Sequence, residues 1–264
     1  MALQIGINGA GGRMGRRLMA LTCADPELEL AEAVDYAQHP SQGKPVASFE
    51  SEVRSHISLA NEFCGQAKVV IDFSSPAGTA NAIAQCAAKR IPLVIGTTGI
   101  EKDLSDTIHA AARNLPIVWA ANMSLGVNLL LRVSAEIAKA LGDGFDIEIV
   151  ESHHNKKADA PSGTALALAK SIAGALGRDL DKTLVHGRQG RPGPRTKPEI
   201  GMHALRLGSV IGDHTVHWGS DYERIELTHR AQNRDVFASG ALRAAKWLSS
   251  KPAGLYDMQD VLFG

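Results

Sequence analysis

Cysteine is scarce in this chain, and the few cysteines are not paired. The 264 residues include only Cys23, Cys64 and Cys86, an odd number with no two close together in sequence. Domains that depend on a disulfide framework need a denser and even set, so that class of protein is excluded. We expect three reduced, mostly buried thiols and a protein of the cytosol.

The sequence also lacks an excess of charge of either sign, and it lacks a long apolar run. Its 28 basic side chains balance 28 acidic ones, whereas nucleic-acid-binding proteins carry a net basic surface. No segment resembles a membrane span, and residues 1–7 have the pattern of a strand rather than of a signal peptide. With 44% hydrophobic residues, the chain is long enough for one large domain or two modest ones.

The first half of the sequence alternates strand-like and helix-like runs, as a doubly wound parallel sheet requires. The predicted strands are residues 3–7, 28–34, 69–73, 92–96 and 117–120. The predicted amphipathic helices are residues 13–24, 78–89 and 101–114. The fold class indicated for this half is α/β.

The pattern changes after about residue 124, where an α+β unit with a mixed or antiparallel sheet is indicated. Its predicted elements are an apolar helix at 126–141, a strand from Phe145, a helix from Ser162 and strands at 202–210, 214–218 and 224–230. A last helix at 236–249 could pack back on the first domain. We therefore expect one domain of residues 1–124 plus 235–264, and a second of residues 125–234.

A glycine-rich turn, Gly9-Ala10-Gly11-Gly12-Arg13-Met14-Gly15, follows the first strand and opens the first helix. A dinucleotide pyrophosphate lies at this position in Rossmann-type units, because glycine allows a tight turn and close backbone approach while helix amides face the phosphates. Asp35 ends the second strand 20 residues after Gly15. An acidic side chain there accepts hydrogen bonds from the adenosine ribose, although Asp35 could also simply open a turn before Pro40.

Two further loops, Gly96-Thr97-Thr98-Gly99 and Ala120-Ala121-Asn122-Met123-Ser124, follow predicted parallel strands. Ligands of open α/β sheets bind along the edge formed by the carboxyl ends of the strands. Turn chemistry alone would also explain the Gly, Thr and Asn residues. These loops therefore support a cofactor site only together with the glycine-rich turn.

The most informative segment, Glu151–Ala165, crowds four potential cations against the start of a helix. The residues before it alternate as in a half-buried strand, so His153, His154 and Lys157 should emerge at the strand end and lie on a loop. Such a cluster suits a small polyanion. A solvated loop with no ligand is the alternative, and zinc is disfavoured because adjacent loop histidines with no nearby cysteine do not form a tetrahedral set.

The helix after these cations should add to an anion site. Pro161 suits its first turn, and Ser162 or Asp159 can cap it. The N–H groups of Gly163 and Thr164 would then point outward. Because a helix N-terminus carries partial positive charge and unpaired donors, a carboxylate or phosphate could bind there.

A third segment, His186–Lys197, combines three glycines and two prolines with four Lys or Arg residues. This composition predicts a long, mobile, basic loop. It is either an ordinary surface excursion or a lid or inter-subunit arm.

Together, the glycine-rich turn, the Gly96–Gly99 and Ala121–Ser124 loops and the Glu151–Ala165 segment closely resemble the dihydrodipicolinate reductase family of lysine biosynthesis. The resemblance spans nearly the whole chain, and its specific part, His153–Thr164, is too long to arise from turn or cap preferences. It implies reduction of 4-hydroxy-tetrahydrodipicolinate to tetrahydrodipicolinate by NADH or NADPH, with loss of water, in the diaminopimelate route. It also implies an N-terminal Rossmann-like dinucleotide-binding domain and a C-terminal substrate domain that builds a homotetramer.

The resemblance implies roles for individual residues, and the residues themselves predict no metal. His153 is similar to the family's acid/base histidine and Lys157 to its proton donor. The implied substrate ligands are His154, Gly163 and Thr164. The implied cofactor contacts are Gly9, Ala10, Gly11, Gly12, Arg13, Met14, Asp35, Gly96, Thr97, Thr98, Ala120, Ala121, Asn122 and Met123.

One departure from the family concerns cofactor choice. Some members have a basic residue after the acidic one at the end of the second strand, whereas Tyr36 follows Asp35 here. We therefore expect NADH to be preferred, with NADPH possible if another cation reaches a 2′-phosphate. The candidate cations are Arg13, Arg16, His39 and Lys44.

Two rival functions are compatible with the fold. A dehydrogenase acting on an amino acid or a sugar, with Lys157 as general acid, would require the resemblance of residues 151–165 to be misleading. A redox-sensing protein would bind a dinucleotide and a protein partner without turnover and without needing His153 or Lys157.

Overall fold

The computed structural model describes residues 1–264. The chain divides into two compact units, and the first is formed from both ends of the chain. Unit 1 comprises Met1–Leu125 and Asp235–Gly264, and unit 2 comprises Gly126–Arg234. No helix is both long enough and apolar enough to cross a membrane.

Unit 1 begins with alternating strands and helices, as predicted. In chain order these are β1 Leu3–Asn8, α1 Arg13–Ala24, β2 Leu28–Val34, β3 Leu59–Ala60, β4 Val69–Asp72, α2 Pro76–Lys89, β5 Leu93–Ile95, α3 Lys102–Ala112 and β6 Pro116–Trp119.

The next elements form unit 2, and the chain then returns to unit 1. Those of unit 2 are α4 Leu125–Leu141, β7 Asp146–His153, α5 Gly163–Ala175, α6 Leu180–Thr183, β8 Leu184–His186, β9 Ile200–Arg206, β10 Asp213–Gly219 and β11 Arg224–Arg230. The closing elements of unit 1 are α7 Asp235–Leu248, β12 Gly254–Tyr256 and α8 Met258–Phe263.

The sheet of unit 1 has seven strands in the order β12-β6-β5-β4-β1-β2-β3. Every neighbouring pair is parallel. Its central strands are buried on both faces, with Ile5, Ile7 and Ile71 fully inaccessible to solvent, as parallel strands covered by helices must be. The strand order reverses between β1 and β4, which is the place where open α/β sheets bind ligands. The predicted α/β class is confirmed.

The sheet of unit 2 has five strands in the order β11-β10-β7-β9-β8. β10 is antiparallel to β7 and β11, whereas β7, β9 and β8 run parallel to one another, so the mixed sheet is confirmed. Alternation along β7 turns Ile147, Ile149 and Glu151 to the buried face, where Leu168 and Ile172 of α5 complete the core.

Several boundaries differ from the sequence-based prediction. β7 continues to His153, so the expectation that His153 lies on a loop is wrong. The strand predicted at 202–210 ends at Arg206, and the following Gly208 has φ +50°, which bends the chain into a turn. β3, β8 and β12 were not predicted, since strands of two or three residues depend on pairing rather than on their own sequence.

Candidate active site

The glycine-rich turn of unit 1 passes unusually close to neighbouring backbone. Gly9 has φ +76°, and a Cβ there would lie 2.4 Å from the carbonyl oxygen of Phe73. A Cβ at Gly15 would lie 2.1 Å from the carbonyl oxygen of Gly9. α1 starts directly after Gly12 with no side chain capping its first N–H groups. The turn therefore has the glycines and the open helix amides that suit a pyrophosphate.

A cavity of about 710 Å³ opens beside this turn. Its wall includes four of the predicted cofactor residues, Gly9, Gly11, Gly12 and Asp35. The cavity is also lined by residues that are not among the predicted cofactor contacts. They come from the loops after β2, β3 and β4 and from the first turns of α2: Tyr36, Ala37, His39, Asn61, Glu62, Phe73, Ser74, Ser75, Ala77, Gly78 and Asn81. Its volume is in the range of small-molecule sites.

Asp35 is half-buried at the cavity wall. Its Oδ2 accepts a hydrogen bond from the Gly11 N–H at 2.8 Å, and its Oδ1 accepts one from the Tyr36 N–H at 2.9 Å. A carboxylate offers about four acceptor positions, so Asp35 fixes the glycine-rich turn and can still accept bonds from ribose hydroxyls.

The other predicted cofactor residues do not line this cavity. Ala10 and Met123 are buried in the core of unit 1, while Arg13 and Thr98 are exposed. The remaining residues outside the cavity wall are Met14, Gly96, Thr97, Ala120, Ala121 and Asn122.

Asp72 is a further residue of this region, and its role was not predicted from the sequence. It is fully buried and accepts hydrogen bonds from four side chains at 2.5 to 2.8 Å. Asn8 and Ser74 donate to its Oδ1, and Thr79 and Thr97 donate to its Oδ2. One carboxylate thus ties together the ends of β1, β4 and β5 and the start of α2.

In unit 2, a second buried carboxylate organises the predicted catalytic segment. Glu151 is fully inaccessible to solvent. Its Oε2 lies 2.6 Å from His153 Nδ1 and accepts from Arg206 Nη1 at 2.9 Å. Its Oε1 accepts from Arg206 Nη2 at 2.8 Å and from the Ser162 N–H at 3.1 Å. Burial raises the pKa of the Glu151 carboxyl, but Arg206 and His153 outweigh burial and hold it below its usual value.

His153 is oriented by these contacts. Because its Nδ1 faces the carboxylate, the assigned neutral tautomer carries its proton on Nδ1. Its Nε2 is turned towards Gly212, where a Cβ would lie 3.1 Å away. The ring of His214 packs edge-on at a centroid distance of 5.3 Å.

His214 supports the start of α5. Its Nε2 lies 2.9 Å from Ser162 Oγ, and the ring is only 3% exposed. Burial, together with the nearby charge of His153, lowers the pKa of His214 to about 4. His214 is therefore neutral near pH 7.

Ser162 caps α5, since its Oγ accepts from the Ala165 N–H at 3.2 Å. Pro161 precedes the cap, so its predicted place in the first helical turn is wrong. Asp159 does not cap the helix either. Of the predicted substrate ligands, Gly163 is exposed at the first helical position and Thr164 is half-buried beside it.

Lys157 lies on the turn between β7 and α5. Its Nζ donates to both carboxylate oxygens of Asp159, at 2.7 and 2.6 Å, and this bond lowers the pKa of Asp159. Arg206 donates to the Asp159 carbonyl at 2.7 Å. His154 precedes the turn, and its Nδ1 is buried without a protein partner. The structure thus brings His153, Lys157 and the start of α5 together around the Glu151–Arg206 pair.

The predicted basic loop is attached to β7 by two of its arginines. Arg188 pairs with Glu148 and Glu199 at 2.7 and 3.0 Å, and Arg195 pairs with Asp146. These guanidinium groups are therefore already neutralised within unit 2. The predicted mobility of the loop stays a prediction.

Two family models cover the chain. One described as the N-terminus of dihydrodipicolinate reductase matches residues 3–123, and one described as its C-terminus matches residues 126–262. The 4-hydroxy-tetrahydrodipicolinate reductase of Syntrophus aciditrophicus (strain SB) is 44% identical over 259 residues, covering 97% of each chain. That of Halorhodospira halophila is 43% identical over 265 residues, covering 99% of each.

Solved structures share the fold. The dipicolinate-bound dihydrodipicolinate reductase of Paenisporosarcina sp. TG-14 superposes with a TM-score of 0.74 at 23% identity, covering 97% of this chain and 98% of that one. GenD2 of gentamicin A biosynthesis, in complex with NAD, gives 0.58 at 14% identity, covering 99% and 90%. The family resemblance stated from the sequence is confirmed by the family models and the two curated relatives. The chain belongs to the dihydrodipicolinate reductase family.

Proposed function

We propose that the protein reduces 4-hydroxy-tetrahydrodipicolinate to tetrahydrodipicolinate, with loss of water, in the diaminopimelate route to lysine. The observation that carries this proposal is the site at the end of β7. There, an oriented histidine, a lysine and the start of a helix meet within residues 151–164, in a chain of this family. The rival redox-sensing function would need none of these groups.

In the proposed reaction, the substrate ring loses its hydroxyl group as water, which leaves a conjugated double bond. A reduced nicotinamide held along the glycine-rich turn would supply hydride to a conjugated carbon of that ring. Negative charge then develops towards the ring nitrogen. Lys157 donates a proton there, and His153 is the acid/base group beside it. General acid catalysis of this kind is typically worth ~10²–10⁴ in rate.

The two carboxylates of the substrate need cations and N–H donors. We assign the binding of these two carboxylates to His154 and to the start of α5 at Gly163 and Thr164. Ser162 caps α5 through the Ala165 N–H, and Gly163 lies exposed at the first position of the helix, where its N–H can face an anion. This use of a helix N-terminus matches its partial positive charge.

The cofactor lies, in this proposal, along the glycine-rich turn, and NADH is preferred. The Asp35 carboxylate accepts hydrogen bonds from the adenosine ribose and repels a 2′-phosphate. Tyr36 is 59% exposed at the same wall and supplies no compensating charge.

The positions of the four candidate cations near this loop also favour NADH over NADPH. Arg16 already binds the protein backbone, because it donates to the carbonyl oxygens of Gly11 at 3.0 Å and Phe49 at 3.1 Å. Arg13 and Lys44 do not line the cavity, and only His39 does. The cavity wall therefore has no guanidinium or ammonium group that would hold a 2′-phosphate.

We also propose a homotetramer, as the family resemblance implies. Its support in unit 2 is a sheet whose apolar core lies on one face, while the other face carries half-buried polar groups such as Glu148, His203 and His217. Light scattering after size-exclusion chromatography should give four times the mass of one chain, and the mass of one chain would reject the proposal.

One assay tests the function. Purified protein is mixed with freshly made 4-hydroxy-tetrahydrodipicolinate and either NADH or NADPH, and nicotinamide absorbance is followed. We expect substrate-dependent oxidation that is faster with NADH. Binding of NADH without turnover of this substrate would favour the redox-sensing function instead.

A further inference from the structure

Glu151 is the carboxylate that contacts several parts of the predicted catalytic segment of unit 2. It is fully buried and accepts from His153, twice from Arg206 and from the Ser162 N–H. Each of these partners belongs to a different element. His153 ends β7, Arg206 ends β9, and Ser162 caps α5.

Each contact fixes a different property of the site. The contact with His153 Nδ1 selects the neutral tautomer with its proton on Nδ1, which leaves Nε2 as the nitrogen that can accept a proton. The bond from the Ser162 N–H holds the start of α5 against β7. Arg206 extends the same contact to the Asp159 carbonyl at 2.7 Å, and Asp159 in turn binds the ammonium of Lys157.

We propose that Glu151 is the positioning residue of this active site. It holds His153 in the reactive tautomer. It also keeps the His153 ring, the start of α5 and the turn that carries Lys157 in fixed positions relative to one another. This inference rests on the proposed catalytic role of His153. Glu151 acts through its partners, because a carboxylate sealed from solvent behind His153 and Arg206 has no route to the substrate.

Glu151→Gln tests the effect on the tautomer. With the amide oxygen at the Oε1 position, it accepts from Arg206 Nη2 and the Ser162 N–H. The amide NH₂ then faces His153 Nδ1 and also Arg206 Nη1, which loses its acceptor. An NH₂ group donates to that nitrogen and therefore favours the opposite tautomer. By analogy with other carboxylate-to-amide changes behind an acid/base histidine, we expect kcat to fall about 10²-fold or more. The Kd for NADH should stay within about twofold of wild type.

Two further variants separate positioning from charge pairing. Arg206→Gln removes the guanidinium but keeps the carboxylate on His153. The fold-loss in kcat that it causes should therefore be less than about one tenth of the fold-loss caused by Glu151→Gln. The double variant Glu151→Gln/Arg206→Gln leaves no unpaired buried charge and keeps the test available if Glu151→Gln does not fold. Glu199→Gln is the matched control, since Glu199 also pairs with an arginine, Arg188, but touches no residue of the site.

Nitrogen-15 NMR of histidine-labelled protein reports the tautomer of His153. The tautomer would not change in these variants if the role of Glu151 were purely structural. The His153 signals are assigned by their loss in His153→Ala. We expect the neutral ring to carry its proton on Nδ1 in wild type and Glu199→Gln, and on Nε2 in Glu151→Gln and in the double variant.

Three results would overturn the inference: an Nδ1–H tautomer retained in Glu151→Gln or in the double variant, turnover of either within about threefold of wild type, or equal losses in Glu151→Gln and Arg206→Gln. Failure of the proposed catalytic role looks different. In that case His153→Ala keeps its turnover, and the tautomer measurement alone decides whether Glu151 positions the ring.

Discussion

The buried His214 should make the stability of the protein depend on pH in a defined window. Its pKa is lowered to about 4 in the folded protein, whereas an unfolded histidine has a pKa of about 6.5. Between these values the unfolded chain binds a proton that the folded chain does not. Because the unfolded state binds more protons in this window, the free energy of unfolding rises with pH there. The contribution of His214 to stability is therefore present above about pH 6.5 and is lost as the pH falls below that value.

The size of the effect follows from the two pKa values. The full gap corresponds to about 3 kcal/mol, at about 1.4 kcal/mol for each pH unit. When the pH is lowered from 7.5 to 5, a single group with these pKa values lowers the free energy of unfolding by about 2 kcal/mol. The carboxylates with lowered pKa, including Glu151, act in the same direction but mainly at lower pH, near their own unfolded values.

Urea unfolding at pH 7.5 and pH 5 measures this loss in wild type and in His214→Gln. Glutamine can keep a hydrogen bond to Ser162 but does not titrate, so the variant should lose about 2 kcal/mol less than wild type between the two pH values. His56→Gln, at an exposed position, is the control and should lose as much as wild type. A His214→Gln variant with an unchanged pH dependence would show that His214 is not the source of the pH-dependent stability.

Three further changes have definite expected outcomes. Asp72→Asn leaves four donors around a neutral amide, so the free energy of unfolding should fall by about 2–4 kcal/mol in urea titration, and a loss below about 0.5 kcal/mol would contradict the role given to Asp72. Tyr36→Arg should shift the kcat/KM ratio towards NADPH, because a guanidinium binds a phosphate with two parallel hydrogen bonds; a ratio that does not move would show that the Asp35 loop does not contact the ribose. Pyridine-2,6-dicarboxylate should compete with substrate, and Thr164→Val should weaken it by about 0.5–1.5 kcal/mol; an inhibition constant unchanged in Thr164→Val and in a His154 variant would place the carboxylates elsewhere.

Most of the fold of unit 1 follows from local signals in the sequence. The bounds of α1 and β2 agree with prediction because glycines precede α1 and Asp25-Pro26 separates α1 from β2. The loop after β4 was missed although β4 is a neighbour of β1 in the sheet. The rule that ligands bind at carboxyl ends of parallel strands would have found Phe73–Ser75 there as well.

The candidate active site was only half predictable, because half of it comes from distant strands. His153 and Lys157 belong to one continuous segment. Arg206 and His214 reach the site only through the register of the unit 2 sheet, which pairs His153 with Arg206 and Glu151 with His214. One local cue was present, since the alternation of β7 places an acidic residue, Glu151, on the face occupied by Ile147 and Ile149.

We propose that His153 and Lys157, at and just after the end of β7, transfer a proton during nicotinamide-dependent reduction. The most direct test is turnover of 4-hydroxy-tetrahydrodipicolinate by Lys157→Ala, with the Kd for NADH measured on the same preparation. We predict that kcat falls by about 10² or more while the Kd stays nearly unchanged, because the acid is lost and the glycine-rich turn is untouched. A Lys157→Ala enzyme that keeps more than about half of the wild-type turnover would contradict the account.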